Sequence, residues 1–136
     1  MIFAIGLLLL GTTSVLCQNS DKLQGAWEII YAEYIYPDTT IENTQFANPS
    51  VKLLTEKHFA FGFQDNNGES ITAGGGEYSY NGETYTEHIK YHIASSIVGI
   101  SIEFKSKLEG DKWTVSGVLP MDEGNTKMRE IWKRIE

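Results

Sequence analysis

From Gln24 to the end, apolar and polar residues alternate with a period of two, and several of the reversals between runs are only one to three residues long. Alternation of this kind places side chains on opposite faces of a strand, and no stretch shows a sustained 3.6-residue apolar period. Eight runs stand out: 25–36, 51–56, 58–64, 74–80, 83–93, 97–108, 111–118 and 126–135. Asn81-Gly82 is a two-residue hairpin signal, Glu109-Gly110-Asp111 is a second tight reversal, and Glu56-Lys57 joins its runs with almost no loop. A parallel crossover needs a dozen residues or more, so these links dictate antiparallel neighbours. The expected fold is all-β, an antiparallel meander of eight strands.

An open meander leaves two unpaired edges, and closing it into an up-and-down barrel removes both. The links at 56–57, 81–82 and 109–111 fall at one end of such a barrel. The longer ones, at 37–50, 65–73, 94–96 and 119–125, fall at the other. The shape implied is a cup, pinched at one end and ringed by loops at its mouth.

Alternation assigns the faces. Trp27, Ile29 and Tyr31 share one side of the first run, and Phe59, Phe61 and Phe63 one side of the third. Across the Asn81-Gly82 turn, Tyr78 and Tyr80 fall with Tyr85, Glu87, Ile89, Tyr91 and Ile93. Val98, Ile100, Ile102 and Phe104 follow, then Trp113 with Val115. The opposite face carries Glu77, Ser79, Thr84, Thr86, His88, Lys90 and His92, and reads as solvent-facing.

Residues 2–10 are a short apolar run, followed by Gly11-Thr12-Thr13-Ser14 and then Val15-Leu16-Cys17. The run is too short for a bilayer, which takes ~20 apolar residues. It matches the apolar core and cleavage zone of a secretory signal peptide. The expected division is therefore a signal peptide at 1–17 and a barrel domain at 18–136, secreted or periplasmic. The alternative is a lipid anchor on Cys17 at the cell envelope, although Leu16 is larger than the residue that usually precedes a lipidated cysteine.

Gly25-Ala26-Trp27 at the start of the first strand, eight meandering strands, and Trp132-Lys133-Arg134 in the last one resemble the lipocalin, or broader calycin, pattern. The likeness is to the small lipocalin-like domains of secreted bacterial proteins and covers nearly all of 23–136. It implies an eight-stranded barrel whose closed end is built by Gly25, Trp27 and Arg134, the arginine packing over the indole. Fatty-acid-binding relatives grip a carboxylate with an inward Arg-x-Tyr. The corresponding stretch here is Glu130-Ile131-Trp132, which implies poor binding of acids.

Other chemistry is sparse. Lys+Arg 11 against Asp+Glu 18, a net charge of −7, argues against a nucleic-acid partner. His88 and His92 are ~13 Å apart along a strand at ~3.3 Å per residue, too far to share a metal ion. Asp65-Asn66-Asn67-Gly68-Glu69 lacks the full spacing of a calcium loop. No metal and no cofactor is expected. Glu87 is the one charged group expected inside; it reads as a structural ion pair with Arg129 or Arg134, or as a ligand anchor.

These readings converge on a non-catalytic barrel that binds a small hydrophobic or aromatic molecule. Its expected lining is Ile29, Tyr31, Phe61, Tyr78, Tyr85, Glu87, Tyr91, Ile100 and Ile102. Two alternatives stand beside it: a packed barrel serving as a structural or protein-interaction module, and a calycin-type enzyme centred on Glu87.

Overall fold

The structure is a computed structural model that describes residues 19–69, 71–120 and 126–136. The signal peptide expected at 1–17, the lipid anchor considered at Cys17 and most of the link at 119–125 lie outside the described residues. Among the described residues nine strands follow in order: β1 (Gly25–Ile35), β2 (Thr40–Asn43), β3 (Val51–Leu54), β4 (His58–Gln64), β5 (Ile71–Tyr80), β6 (Thr84–His92), β7 (Ser101–Glu109), β8 (Lys112–Val118) and β9 (Lys127–Arg134). Each pairs antiparallel with its neighbour from β3 to β9, β1 pairs with β3, and β1 pairs again with β9. The sheet therefore closes into an eight-stranded antiparallel barrel.

The ninth strand is β2, which lies within the 37–50 link and was not among the eight runs. It extends the edge of β1 beyond β3, from Ala32↔Asn43 to Ile35↔Thr40. With four residues and little apolar content, it carries too short an alternation to stand out in sequence.

Trp27, Tyr85 and Trp113 are fully buried, and Trp113 packs against the other two. The Trp27 and Trp113 rings are 5.5 Å apart, and Tyr85 meets Trp113 edge-on at 4.9 Å. An aromatic side chain buries about 150–250 Å², which at about 25 cal/mol/Å² is near 4–6 kcal/mol each. The strands' inner faces supply the rest of a single core that includes Leu23, Leu54, Phe59, Ile89, Phe104 and Trp132.

Two β-bulges break the alternation and overturn four assignments of face. In β1 the pairing with β9 slips between Ile29 and Tyr31, so Ile30 is the extra residue. Ile29 stays inside, Tyr31 turns out, and Ala32 takes the inward position. In β6 the pairing slips between Gly76↔Ile89 and Gly75↔Tyr91, so Lys90 is the extra residue. Ile89 remains in the core, while Tyr91 (73% exposed) and Ile93 (62%) turn outward and His92 turns inward. A bulge inserts one unpaired residue and inverts every face beyond it. Since Tyr and Ile suit either face, the residue pattern gave no warning. Gly76 is the partner of the second bulge, where an added Cβ would collide with the His88 carbonyl. Val98, also expected inside, sits in the turn that follows a 3-10 segment at Ser95–Ile97 and is 44% exposed.

Candidate functional site

The closed end is assembled by Leu23, Trp27 and Arg134. Trp27 Nε1 donates to the Leu23 carbonyl at 2.8 Å. The Arg134 guanidinium lies 4.2 Å from the centre of the Trp27 ring. It also donates to the carbonyls of Gln24 and Lys22, and its Nε is 3.4 Å from Asp111. The arginine therefore ties down backbone that no strand pairs, and its cation–π contact adds about 0.5–2 kcal/mol. Gly25 has a φ of +129°, and a Cβ there would collide with the Glu136 carbonyl. The glycine of Gly-x-Trp is thus required by the close passage of the chain's last residue.

Above this plug the barrel holds a charged cluster. Lys52 and Glu87 are both buried, and Lys52 Nζ donates to Glu87 Oε1 at 2.7 Å. Tyr85 donates its hydroxyl to the same oxygen at 3.0 Å. The ammonium stands 5.1–5.9 Å from the centroids of five rings, those of Trp132, Tyr85, Phe61, Trp113 and Phe59. Beside it Glu130 accepts from Tyr34 at 3.0 Å and from Trp132 Nε1 at 3.1 Å. Burial raises the Glu130 carboxyl above its ordinary range, with the Lys52 ammonium and the two donors acting against that rise. Burial likewise pushes the Tyr85 hydroxyl well up and the Tyr78 hydroxyl to about 12. Tyr78 turns its hydroxyl to the Thr55 carbonyl at 2.7 Å, so it contributes a ring face and no polar group to the interior.

The partner of Glu87 is neither Arg129 nor Arg134. Arg129 lies outside, on Tyr31 and Glu33, and Arg134 is at the closed end. Lys52 was missed, although its position was legible. The tight Glu56-Lys57 reversal pairs Leu54 with Phe59 and Lys52 with Phe61, so a lysine two residues before Leu54 must share the phenylalanine face.

Of the nine residues expected to line a pocket, the structure brings seven to the inner face. Ile29, Tyr78, Tyr85, Glu87 and Ile102 are buried in the packed lower half. Phe61 and Ile100 are half-buried nearer the mouth, with Tyr34, Phe46 and Ile97. Tyr31 and Tyr91 are outside and cannot line it. His92 joins the mouth instead, its ring 6.0 Å from that of Phe61 across Gly74. Its Nδ1 accepts from the Ala94 N–H at 2.9 Å, which leaves Nε2 as the protonated nitrogen of the neutral ring. In that tautomer Nε2 is a hydrogen-bond donor and not a metal ligand. Among the described residues there is no group of three or more His, Cys, Asp or Glu side chains placed to hold a metal ion. Nor is any described helix long and apolar enough to cross a membrane.

Comparison with curated proteins yields no match. Among solved structures, the chain is similar to a lipocalin-like protein from Bacteroides uniformis ATCC 8492, known from a crystal structure at 1.79 Å resolution. The two share 17% identity and a TM-score of 0.52 over 84% of this chain and 99% of that one. At that identity the likeness speaks for the fold alone: the barrel is lipocalin-like. A family model matches residues 22–136, from the closed-end plug through the last strand, and the chain belongs to that family, described as Domain of unknown function (DUF4488).

Proposed function

We propose that this barrel is an exported, non-catalytic binding protein that takes one small, ring-bearing, neutral or cationic molecule at its mouth. The observation that carries this reading is the layering of the interior. A half-buried apolar collar of Tyr34, Phe46, Phe61, Ile97 and Ile100 sits above a floor of buried charge. A core built only for stability gains little from a buried ion pair, since apolar residues of similar volume often do as well or better. Glu87 occupies Lys52, so among the described residues the interior offers an incoming carboxylate no free cation, only the acidic Glu130 group, which disfavours such a ligand. Flat rings suit a collar with three aromatic side chains and a histidine N–H at its edge.

The test is displacement of a neutral naphthylamine probe from the chain beginning at Gln18, followed by probe emission and tryptophan quenching. Neutral or cationic aromatics should displace it about tenfold better than straight-chain fatty acids, the ratio one modest charge repulsion supplies. Phe61→Ala should weaken the probe, and Tyr91→Ala, on the outer wall, should leave it unchanged. If no probe binds the native protein, or if fatty acids compete best, this reading fails.

Export is part of the same proposal and rests on the apolar run at 2–10 and the Val15-Leu16-Cys17 site. Intact mass of the protein recovered from its own cells should correspond to a chain beginning at Gln18, without acyl groups. Lipid on Cys17 would replace secretion with anchoring, and an N-terminus at Met1 would remove export altogether.

A further inference from the structure

On the outer face of β3–β6, two successive rows of residues are wholly apolar. Leu53, Ala60, Gly75 and Tyr91 are register partners across the four strands. The next row is Val51, Gly62 and Ala73, with Ile93 hydrogen-bonded to the Ala73 carbonyl. Both rows read large, small, small, large. Together they form a trough along β4 and β5 beside a ridge of Tyr91 and Ile93, with Leu53 and Val51 of β3 at the far end of the two rows. Leu53 is 51% exposed, Tyr91 73% and Ile93 62%. The open depression here has a volume of about 780 Å³. Its lining also takes in Phe61 and His92, because the thin Gly74–Gly76 stretch is all that separates the two faces.

The ridge exists because of the Lys90 bulge, which aims Tyr91 outward when plain alternation would have buried it. Bulges that re-aim a side chain in this way recur beside functional surfaces. The chain carries 18 acidic residues, yet neither row contains a charge. At the closed end of the trough Glu77 meets Lys90 at 2.7 Å and His58 at 3.9 Å, so both signs stand together there.

We infer that this face is a homodimer interface in which the Tyr91–Ile93 ridge of each copy fills the trough of the other. A two-fold axis parallel to the strands, placed between ridge and trough floor, seats both ridges at once. It also keeps the two closed ends on the same side, so Lys90 of one copy faces Glu77 of the other. A two-fold interface must be self-complementary in shape and charge, and a ridge beside a trough with an acid beside a base meets both conditions. A chain of net charge −7 can approach a copy of itself closely only where acids are absent, and this face offers that. Eight residues a side fall short of the ~20–30 of a standard interface, so the dimer is weak, with a dissociation constant in the ~micromolar range.

Sedimentation equilibrium of the chain from Gln18, from about 1 μM to about 1 mM, should show a reversible monomer–dimer equilibrium. The double variant Tyr91→Asp, Ile93→Asp should raise the dissociation constant about 100-fold, as loss of central hot spots does. Ala60→Leu, which fills the trough and leaves the ridge intact, should weaken it as well. Circular dichroism would confirm that these outer-face variants keep the fold. An equimolar mixture of Ala60→Cys and Tyr91→Cys chains should form a heterodimeric disulfide faster than either chain forms a homodimeric one. A chain monomeric throughout the range, or a dimer indifferent to the ridge substitutions, overturns the inference. Flotation with neutral phosphatidylcholine vesicles that depends on Tyr91, by a chain that stays monomeric, would overturn it in favour of a membrane surface.

Discussion

Trp27→Ala is expected to destabilise the barrel by about 3–5 kcal/mol, the range for removing a large aromatic from a well-packed core. Trp27 is 0% exposed and packs against Trp113 on one side and Arg134 on the other. The substitution removes both contacts, leaves the Leu23 carbonyl without its indole donor, and takes the face from under the guanidinium. The barrel cannot collapse into the space, because β1 is held at that level by β3 on one edge and β9 on the other. A domain of this size holds about 5–15 kcal/mol in all, so the variant should be near the threshold of folding at 37 °C. Urea unfolding followed by far-ultraviolet circular dichroism measures the loss. A midpoint within about 0.5 M of the wild type, at a slope of about 1–3 kcal/mol/M, would mean that the plug is not a keystone of the fold.

The parts of the molecule legible in its sequence are those where local chemistry and global pattern agree. Asn81-Gly82 turns where it was expected to, with Asn81 Oδ1 accepting from the N–H groups of Glu83 and Thr84. The ring of long links at one end and tight links at the other follows from counting residues between runs. The inward face of β9 was not legible, because Glu130/Trp132/Arg134 and Arg129/Ile131/Lys133 are nearly matched in polarity; the structure buries Met128, Glu130 and Trp132 and exposes Arg129 and Lys133. What the alternation could not carry was any change of phase within a strand. The bulges at Ile30 and Lys90 each shift the register by one residue. Their effect reaches the candidate site directly, exchanging Tyr91 for His92 at the mouth and removing Tyr31 from the interior. The inward position of Lys52 follows from the Glu56-Lys57 reversal, but its burial and its partner do not. A lone lysine in a four-residue strand suggests a solvated side chain, and burial of Lys is rare unless it is paired. Its partner Glu87 lies 35 positions away. Only the three pairings of four strands, β3 to β6, taken together bring the two to the same place.

That pair is the subject of the second large effect. Lys52→Met is expected to cost about 3–5 kcal/mol, because it leaves Glu87 as an unpaired carboxylate in a buried site. It should also raise the Glu130 carboxyl further, since the Lys52 ammonium is the main influence holding it down against burial. Glu87→Leu alone should be similarly damaging, stranding the ammonium among five aromatic rings and leaving the Tyr85 hydroxyl without its acceptor. The double variant Lys52→Met, Glu87→Leu should recover most of the loss, because replacing both partners of a buried pair by apolar groups of similar volume is often neutral or stabilising by about 1–4 kcal/mol. The non-additivity of the three variants in urea is therefore the informative quantity. A near-additive cycle would mean that the two groups are solvated in the native protein and that the interior is wetter than the geometry implies. If instead the double variant folds well but no longer takes the naphthylamine probe, the charge is dispensable for the fold and needed for the ligand. That outcome would separate a barrel packed for its own stability from one that retains a buried ion pair as the floor of a binding site.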